Sequence, residues 1–362
     1  MALAAAMSTL VLQPRAAVRP PLDEACRSLE SSLPQWMAAA RVPGVAIAIV
    51  DNGTVAWTKG FGVLQAHTEA PVTEQSRFQA ASLTKPVTAY VALQLLDAGR
   101  LGLDEPLTKY VKYADLPDDP RVGAITARLV LSHRTGFPNW RRNDALRLFF
   151  QPGERFSYSG EGYVYLQRAI EAITGETLDV TASKLVFQPL KMEHSSLLPA
   201  DEGADVAMPH TDIGTPLRLR PVPRGANAAA SLITSAADYA SFIVAVTHGA
   251  RLTPATARMM FTPQVQLEGC TQCADKPRAG ASPDLAWGLG WGLEDGSAGR
   301  LAWHWGDNGG YKNYVLVTPD GGRGFVFFTN GDNGLALRDR ITAAVLGGTH
   351  PAARLLSYKQ LE

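Results

Sequence analysis

Strand patterns lie at both ends of the chain, and helical patterns lie between them. Residues 45–50 are typical of a strand buried on both faces, Asp51-Asn52-Gly53 is a hairpin signal, and residues 54–62 alternate as a returning strand. Further strands are predicted at 285–293, 300–305, 311–318 and 323–330, ahead of a helix at 333–346. An antiparallel sheet built from both ends, with helices packed on it, satisfies this order. The predicted fold class is α+β, an α/β sandwich with an inserted, mostly helical domain.

This order predicts a discontinuous sheet domain, residues 22–80 and 285–350, and a mostly helical domain, residues 81–284. Residues 1–21 are predicted to be a leader or a disordered start. The last residues, which resemble a cloning scar, are also left out of the fold. The helix predicted at 22–40 contains Pro34, which should kink or divide it. A cleft between the two domains is where a site is expected.

The composition bears on the kinds of partner that the chain can have. Of its 362 residues 46% are hydrophobic, and 34 Lys plus Arg balance 34 Asp plus Glu. A large core can form, and the balanced charge gives no reason to expect nucleic acid or an anionic membrane surface as a partner. The apolar residues 2–12 are too few to span a membrane. Nothing in the sequence determines an oligomeric state.

The cysteines bear on localisation. Cys270 and Cys273 are predicted to form a small disulfide loop in a surface insertion, with two free thiols or half of a metal site as alternatives. A disulfide favours an oxidising compartment. The apolar start also resembles the end of a secretion signal, although it has no positive n-region. Periplasmic or secreted localisation is therefore expected, with cytoplasmic localisation as the alternative.

Ser82 lies at the start of a predicted helix that ends near Gly99. Pro86 is tolerated only in the first helical turn, which places the helix start near Ser82. Lys85 is three residues on, so its amine lies on the same face about one turn away. A buried lysine with a lowered pKa can remove the proton of a serine hydroxyl. A capping serine with an exposed lysine is the alternative, because Ser-x-x-Lys alone is a weak pattern.

Two later stretches carry further candidate groups. Tyr158-Ser159-Gly160 begins a predicted helix, and a tyrosine near a lysine can act as a base or a proton relay. In the late strand, alternation places His304 and Gly306 on one side and Trp305 on the other, away from Ser82. A glycine there lets a ligand approach the backbone closely. The alternatives are aromatic packing at a domain boundary and a tight hairpin with a half-buried histidine.

Together these stretches resemble the serine β-lactamase and penicillin-binding-protein superfamily, and more narrowly class C β-lactamases, D,D-peptidases and family VIII carboxylesterases. The resemblance rests on Ser82-x-x-Lys85, on Tyr158 after it, and on His304-x-Gly306 in a late strand. Residues 129–137 are similar to the family's Leu-Leu-Ser-His-Thr-Ser-Gly segment, and residues 156–163 resemble its Tyr-x-Asn segment. Four motifs in the right order make a specific signal over residues 22–348.

The resemblance implies roles for these residues. Ser82 would be the acylated nucleophile, and Lys85 and Tyr158 would share the proton. The backbone N–H groups of Ser82 and Asp307, just after Gly306, would form the oxyanion hole. Neither a cofactor nor a metal is implied.

Two positions depart from the family's pattern. Gly160 replaces the asparagine of Tyr-x-Asn, whose amide holds a substrate amide carbonyl in relatives. His304 replaces a charged lysine that favours a substrate carboxylate, and it would line the cleft and contact the substrate or the Tyr158 hydroxyl. Both changes weaken the case for β-lactam hydrolysis and leave acyl transfer intact. The sequence predicts a serine hydrolase acting on small-molecule esters, amides or peptide bonds, with weak or no β-lactamase activity.

Other functions remain open at this point. Within enzymes, the alternatives are a D,D-carboxypeptidase or D-aminopeptidase and a class C-like β-lactamase. A non-catalytic penicillin-binding or sensor domain is a different class, although such domains usually lose Ser82, Lys85 or Tyr158. A zinc hydrolase would need ligands among the seven histidines, in which no pair has metal-ligand spacing on one face: His67, His133, His194, His210, His248, His304 and His350. A bond from His133 to loop backbone is expected rather than catalysis.

Overall fold

The structure, a computed structural model, describes most of the chain. The described residues are 19–141, 145–199, 205–218, 225–268, 271–272, 281–296, 299–348, 350–356, 358 and 360–361. The expected disulfide between Cys270 and Cys273 and almost all of the expected leader lie outside them. No helix within these ranges is long and apolar enough to cross a membrane.

An antiparallel sheet of eight strands forms the centre of the fold, in the order β2-β1-β10-β9-β8-β7-β6-β5. Its strands come from both ends of the chain, because β1 pairs with β2 on one side and with β10 on the other. The strand bounds are β1 Gly44–Asp51, β2 Thr54–Gly62, β5 Val265–Glu268, β6 Ala281–Trp287, β7 Gly292–Gly296, β8 Gly299–Asp307, β9 Lys312–Val317 and β10 Gly324–Thr329. A separate pair consists of β3 Phe78–Gln79 and β4 Ile233–Thr234.

The helices lie between these strands and at the two ends of the chain. Their bounds are α1 Leu22–Ala40, α2 Thr84–Asp97, α3 Ala127–Leu131, α4 Gly160–Thr174, α5 Leu178–Ala182, α6 Ala236–Thr247, α7 Pro254–Met260, α8 Arg338–Val345 and α9 Ala352–Leu355. Most of the helical segments fall between β3 and β5. The antiparallel sheet, with most helices inserted between its early and late strands, confirms the predicted α+β fold class.

Strand β1 shows how the two layers of core arise. Its residues are buried on both faces, as the uninterrupted apolar run predicts. Ala46, Ala48 and Val50 face one core cluster, and α6 packs against this strand. Ile47 and Ile49 face a second cluster that includes residues of α1 and α8. Side chains that alternate along β1 therefore pack against helices on both faces of the sheet.

Helix α2 lies inside the helical part of the molecule. Every residue from Thr84 to Leu95 is buried, including the lysine at position 85. A helix that is covered all round must be surrounded by protein, and α4, α5 and the 3-10 turn before it supply contacts. Because α2 follows Ser82 directly, this burial places the candidate catalytic groups at the boundary between sheet and helices.

Two local expectations are wrong. Helix α1 continues without a break through Pro34, with Leu33 and Met37 buried on either side, so the proline does not divide it. The single strand expected at 285–293 is two strands, β6 and β7, joined by a turn. Gly290 in this turn has φ +86°, and a Cβ there would lie 2.4 Å from the Cβ of Ala89 in α2. Close packing of the turn on α2 therefore requires glycine.

The sheet and the chain end both extend beyond the expected bounds. Strand β5 lies before residue 285 and adds to the sheet edge. After residue 350, α9 and Leu356 pack into the core cluster that covers the α1 face of the sheet. His350 and the N–H of Ala352 bond the buried Glu294 carboxylate on β7. The chain end is thus part of the fold.

Candidate active site

Ser82 lies in a 3-10 turn, Ala81–Leu83, that leads directly into α2. The turn packs against β8, and the Ser82 side chain is partly exposed while both of its neighbours are buried. Ala81 has φ +52°, a left-handed conformation that is strained for any residue with a Cβ. Ser82 therefore lies at a sharp bend, with its N–H among the first donors of a helical segment, which lack intrahelical acceptors.

The Lys85 amine lies next to the Ser82 hydroxyl. Its Nζ is 3.1 Å from Ser82 Oγ and donates to the carbonyl oxygen of Ala229 at 2.9 Å. A carbonyl oxygen can only accept, so the contact with Ala229 uses an N–H. The lone pair of a neutral amine is then free to accept the Ser82 proton.

Burial determines the charge of Lys85. The side chain is fully buried, and no ion pair is found for it within the described ranges. Burial alone lowers the pKa of Lys85 well below its ordinary value. The neutral amine, which is the form that can act as a base, is thereby favoured.

The Ala229 carbonyl is positioned by a residue of α4. Gln167 accepts from the N–H of Ala228 at 2.9 Å and donates to the Ala226 carbonyl at 2.9 Å, which holds this loop beside α2. Sequence reasoning missed both Gln167 and the loop. An alanine-rich segment that acts through its backbone has no side-chain signal.

Tyr158 completes a grouping of three side chains. Lys85 Nζ lies 4.7 Å from the centre of the Tyr158 ring. The Tyr158 hydroxyl is buried and lies beside the Ser82 hydroxyl. Burial raises the pKa of Tyr158 well above its ordinary value, and the neighbouring Ser82 hydroxyl opposes this only in part. The phenol is therefore a neutral proton donor rather than an anionic base.

His133 supports the Tyr158 ring from the segment that resembles the family's Ser-His loop. The two ring centres are 4.2 Å apart, and His133 Nδ1 accepts the N–H of Ser159 at 3.0 Å. This bond to loop backbone agrees with the expectation for His133. Burial first, and then the charges of Lys85 and His304, lower the pKa of His133, so it packs as a neutral ring.

His304 presents an unused acceptor near Tyr158. Its Nδ1 lies 2.8 Å from the carbonyl oxygen of Trp305 and must donate to it, which leaves Nε2 as the acceptor of a neutral ring. Nε2 is buried and has no partner among the described residues. Burial, and next the charge of Lys85, lower the pKa of His304 to about 3. His304 is therefore neutral at physiological pH.

The N–H of Asp307 points toward the edge of β8 that β7 does not reach. Asn308 N–H donates to the Tyr311 carbonyl on the β9 side, so alternation turns the Asp307 N–H to the opposite side. Pairing of β7 with β8 ends at Gly292 and Trp303. This N–H and that of Ser82 are the two donors that the resemblance assigns to an oxyanion hole.

The two candidate glycines are both required by close packing within the chain. A Cβ at Gly306 would lie 2.3 Å from the carbonyl oxygen of Ala80, so the glycine lets β8 approach the turn that carries Ser82. A Cβ at Gly160 would lie 2.8 Å from the Asn139 carbonyl oxygen and 2.8 Å from the Trp140 ring. The close approach expected at Gly306 is thus to protein backbone.

Sequence reasoning also missed the residues that hold the end of β8. The Asp307 carboxylate bonds Lys312 Nζ at 2.8 Å and the Tyr358 hydroxyl at 2.8 Å. Tyr358 lies beyond the predicted domains, so no motif pointed to it.

Trp305 was expected to face away from Ser82. In the structure the centre of its ring is 4.7 Å from the centre of the Tyr158 ring.

The histidines form no metal-binding group in the part of the chain that is described, where no three His, Cys, Asp or Glu side chains come together for one. His350 bonds Glu294 and His210 bonds the Asn330 carbonyl, in separate places. A zinc hydrolase therefore gains no support from the described residues.

The candidate site lies between a sheet and helices. It combines a serine one turn before a buried lysine with a tyrosine and the edge of a late strand. This combination is typical of the serine β-lactamase and penicillin-binding-protein class. A family model described as Beta-lactamase matches residues 29–348. The chain therefore belongs to the Beta-lactamase family, within a superfamily of serine hydrolases.

Individual relatives agree with this family. The chain is 30% identical over 319 residues to penicillin-binding protein 4 of Amycolatopsis lactamdurans, which covers 80% of this chain and 81% of the relative. A D-alanine carboxypeptidase AmpC from Burkholderia cenocepacia has a similar structure, with a TM-score of 0.74 at 21% identity over 90% of this chain and 99% of the other. The octameric penicillin-binding protein homologue from Pyrococcus abyssi has a TM-score of 0.72 at 24% identity, covering 85% and 74%. At these identities, the two structures show a similarity to this chain in fold.

Proposed function

We propose that this protein is a serine hydrolase that forms an acyl-enzyme at Ser82 and acts on esters or on amide or peptide bonds. The observation that carries the proposal is the 3.1 Å contact between Ser82 Oγ and the fully buried Lys85 amine. Burial lowers the pKa of Lys85 and so favours the neutral amine, which can activate a serine.

Acylation follows from the charge states of the three groups. Lys85 Nζ accepts the Ser82 proton as Oγ attacks the substrate carbonyl carbon, and the resulting ammonium is stabilised by the Ala229 carbonyl and the face of the Tyr158 ring. The neutral Tyr158 phenol donates its proton to the leaving group as the bond to the carbonyl carbon breaks. The phenolate is reprotonated from the Lys85 ammonium. Water then attacks the acyl carbonyl carbon and gives a proton to the neutral Lys85 amine. The bond between Ser82 Oγ and the acyl carbon breaks, Lys85 returns the proton to Oγ, and the carboxylic acid leaves.

Charge on the carbonyl oxygen develops during both steps. The N–H groups of Ser82 and Asp307 are the proposed donors to this oxygen. Donors fixed by the 3-10 turn and by the end of β8 need no reorganisation when the charge appears.

Weak or absent β-lactamase activity is part of the proposal. His304 is neutral, so it supplies no fixed positive charge for the carboxylate of a penicillin or cephalosporin. Position 160 has no side-chain amide for a substrate amide carbonyl. Both features leave ester hydrolysis unaffected.

The test is intact-mass spectrometry of the wild type and Ser82→Ala after treatment with a fluorophosphonate and, separately, with a penicillin. Ser241→Ala in α6 is the matched control, because it loses a serine hydroxyl outside the site. We expect one fluorophosphonate adduct on the wild type and the control and none on Ser82→Ala. An unmodified wild type would overturn the proposal and favour the non-catalytic class.

A D,D-carboxypeptidase is the second candidate. It is favoured by the 30% identical relative, which is a penicillin-binding protein. Release of D-alanine from a peptide ending in D-alanyl-D-alanine, lost in Ser82→Ala, would establish this activity. A rapid ester turnover with no D-alanine release would exclude it.

A further inference from the structure

The Thr84 hydroxyl lies between the turn that carries Ser82 and the loop that bonds Lys85. Thr84 Oγ1 donates to the carbonyl oxygen of Ala81 at 2.6 Å and accepts the N–H of Leu232, in that loop, at 2.9 Å. Thr84 is fully buried, so solvent does not replace a partner that is lost. This hydroxyl therefore joins two segments of the candidate site at one buried point.

Ala81 needs a contact of this kind. Its φ of +52° is unfavourable for a residue with a Cβ and persists only where neighbouring contacts impose it. The Ala81 carbonyl accepts two bonds from Thr84, one from the backbone N–H and one from the hydroxyl. The hydroxyl bond is thus one of the contacts that hold Ala81 in this conformation.

The Ala81 carbonyl and the Ser82 N–H belong to one peptide group. A peptide group is planar, so a bond that fixes the direction of its carbonyl also fixes the direction of its N–H. The Ser82 N–H is a proposed donor to the substrate carbonyl oxygen. The Thr84 hydroxyl is therefore connected to this donor through a single rigid unit.

The backbone before Ala81 is held by other groups. The Ala80 N–H donates to the Leu232 carbonyl at 2.7 Å. On the sheet side, Asn313 Nδ2 on β9 donates to the Gln79 carbonyl at 2.9 Å. Because these bonds anchor the start of the turn, loss of the threonine bond would be relieved at Ala81 and in the peptide group that follows it.

We propose that Thr84 is a positioning residue for acyl transfer, whose hydroxyl holds the peptide between Ala81 and Ser82 so that the Ser82 N–H meets the developing oxyanion. This inference rests on the proposed serine hydrolase function and deepens it. Thr84 acts through Ala81 and is assigned no contact with the substrate. An oxyanion donor acts mainly in the transition state, so its displacement should lower kcat rather than raise KM.

The test uses Thr84→Val, which keeps the shape of the side chain and removes the hydroxyl, and Thr84→Ser, which keeps the hydroxyl. Thr84→Val is also made in an Ala81→Gly background. Thr342→Val is the matched control, because Thr342 is a buried threonine on α8 whose hydroxyl donates to the Arg338 carbonyl at 2.7 Å. The measurements are kcat and KM for p-nitrophenyl acetate, the rate constant of fluorophosphonate labelling at Ser82, and thermal unfolding.

We expect Thr84→Val to lower kcat by about 10- to 100-fold, with KM changed by less than about twofold and labelling slowed in proportion. Thr84→Ser and Thr342→Val should both stay within about threefold of the wild-type kcat. Glycine adopts a positive φ without the strain of a Cβ, so the hydroxyl is needed less when it stands at position 81. Thr84→Val should therefore lower kcat by a smaller factor in the Ala81→Gly background than in the wild type.

Three results would overturn the inference while normal labelling of the wild type upholds the proposed function: a wild-type kcat in Thr84→Val, an equal loss in Thr84→Ser, or an equal loss from Thr84→Val in both backgrounds. If Thr84→Val does not fold, Thr84→Cys replaces it, since a thiol is a weak donor. A kcat of Thr84→Cys equal to that of Thr84→Ser would then overturn the inference. Absent labelling and turnover in the wild type would overturn both.

Discussion

Lys85 is held in surroundings that disfavour its charged form. Burial lowers its pKa, while the same lysine in the unfolded chain has a pKa of about 10.4. Between these two pKa values the unfolded state binds a proton that the native state does not. The free energy of unfolding therefore gains a positive pH dependence over that window from Lys85.

The first prediction is that Lys85→Met abolishes acylation and stabilises the protein. Methionine fills a similar volume and carries no charge to desolvate, so at pH 7 we expect a gain in the free energy of unfolding despite the lost bond to Ala229. The gain should shrink toward pH 10. Chemical denaturation at several pH values measures it, with the exposed Lys59→Met as control. A less stable Lys85→Met, or one that still acylates, would contradict the account.

The second prediction concerns His304, whose pKa is lowered to about 3. It stays neutral from about pH 4 upward, so it should contribute no step to the dependence of kcat/KM on pH between 4 and 8. The rising limb of the profile should reflect ionisation of Lys85. Profiles of the wild type and His304→Gln should therefore share their inflection. An inflection near pH 6.5 present only in the wild type would show that His304 titrates.

At the level of elements, the chain end reaches back to the strand that carries the proposed oxyanion donor. Tyr358 donates to the Asp307 carboxylate, which Lys312 and the N–H of Gly309 also bond. Burial first, and then the Asp307 charge, raise the pKa of Tyr358, so the phenol remains a donor. The position of the Asp307 N–H thus depends on a residue far from any motif.

The third prediction is that Tyr358→Phe lowers kcat by about 3- to 10-fold with little change in KM. Removal of one oxyanion donor lowers kcat by about 100-fold or more, so its displacement should lower kcat by part of that factor. Steady-state kinetics measure the effect, and Tyr110→Phe is the control, because its hydroxyl bonds Glu105 at 2.5 Å outside the site.

A double-mutant cycle shows whether Tyr358 acts through Asp307. Asp307→Asn keeps the backbone N–H and removes the charged acceptor. Tyr358→Phe should then have a smaller effect in the Asp307→Asn background than in the wild type. Fully additive effects would mean that Tyr358 does not act through this carboxylate.

Across the whole molecule, one ion pair couples the chain end to the sheet. Burial lowers the pKa of His350, but the hydrogen bond and charge of Glu294, helped by the Asp339 charge, outweigh it and raise the pKa overall. A raised folded-state pKa means that the pair stabilises the fold fully below the unfolded-state pKa of about 6.5. This contribution is lost as pH rises through the folded-state value.

The fourth prediction is that His350→Gln destabilises the protein by about 1 kcal/mol near pH 5.5 and by less at pH 9. Denaturation curves at the two pH values give the difference, with His248→Gln as the control for an exposed histidine. A destabilisation that is the same at both values would show that ionisation of His350 plays no part.

The sequence was sufficient for the fold class, because burial periodicity and turn residues are local signals. The uninterrupted run at 45–50 and the alternation after Asp51-Asn52-Gly53 predict β1 and β2 closely. The turn at Gly290 and the continuity of α1 through Pro34 were not predictable, since both depend on packing against other elements.

Motif spacing was likewise enough to place Ser82 and Lys85 on one helical turn, because three residues along a helix always share a face. The lowered pKa of Lys85 could not be predicted from this spacing. It follows from the covering of α2 on all sides and from the loop that Gln167 holds, which are contacts between distant segments.

Two further contacts near the candidate site are determined by tertiary structure alone. Trp140 meets Gly160, and Tyr358 meets Asp307, across separations that carry no pattern in the chain. Hydrophobic periodicity specifies which face of an element is buried, and it does not specify the partner. The motifs that resemble the family can thus be read from the chain, whereas the contact of Trp140 with Gly160 and the support of the end of β8 by Tyr358 arise only when distant segments pack together.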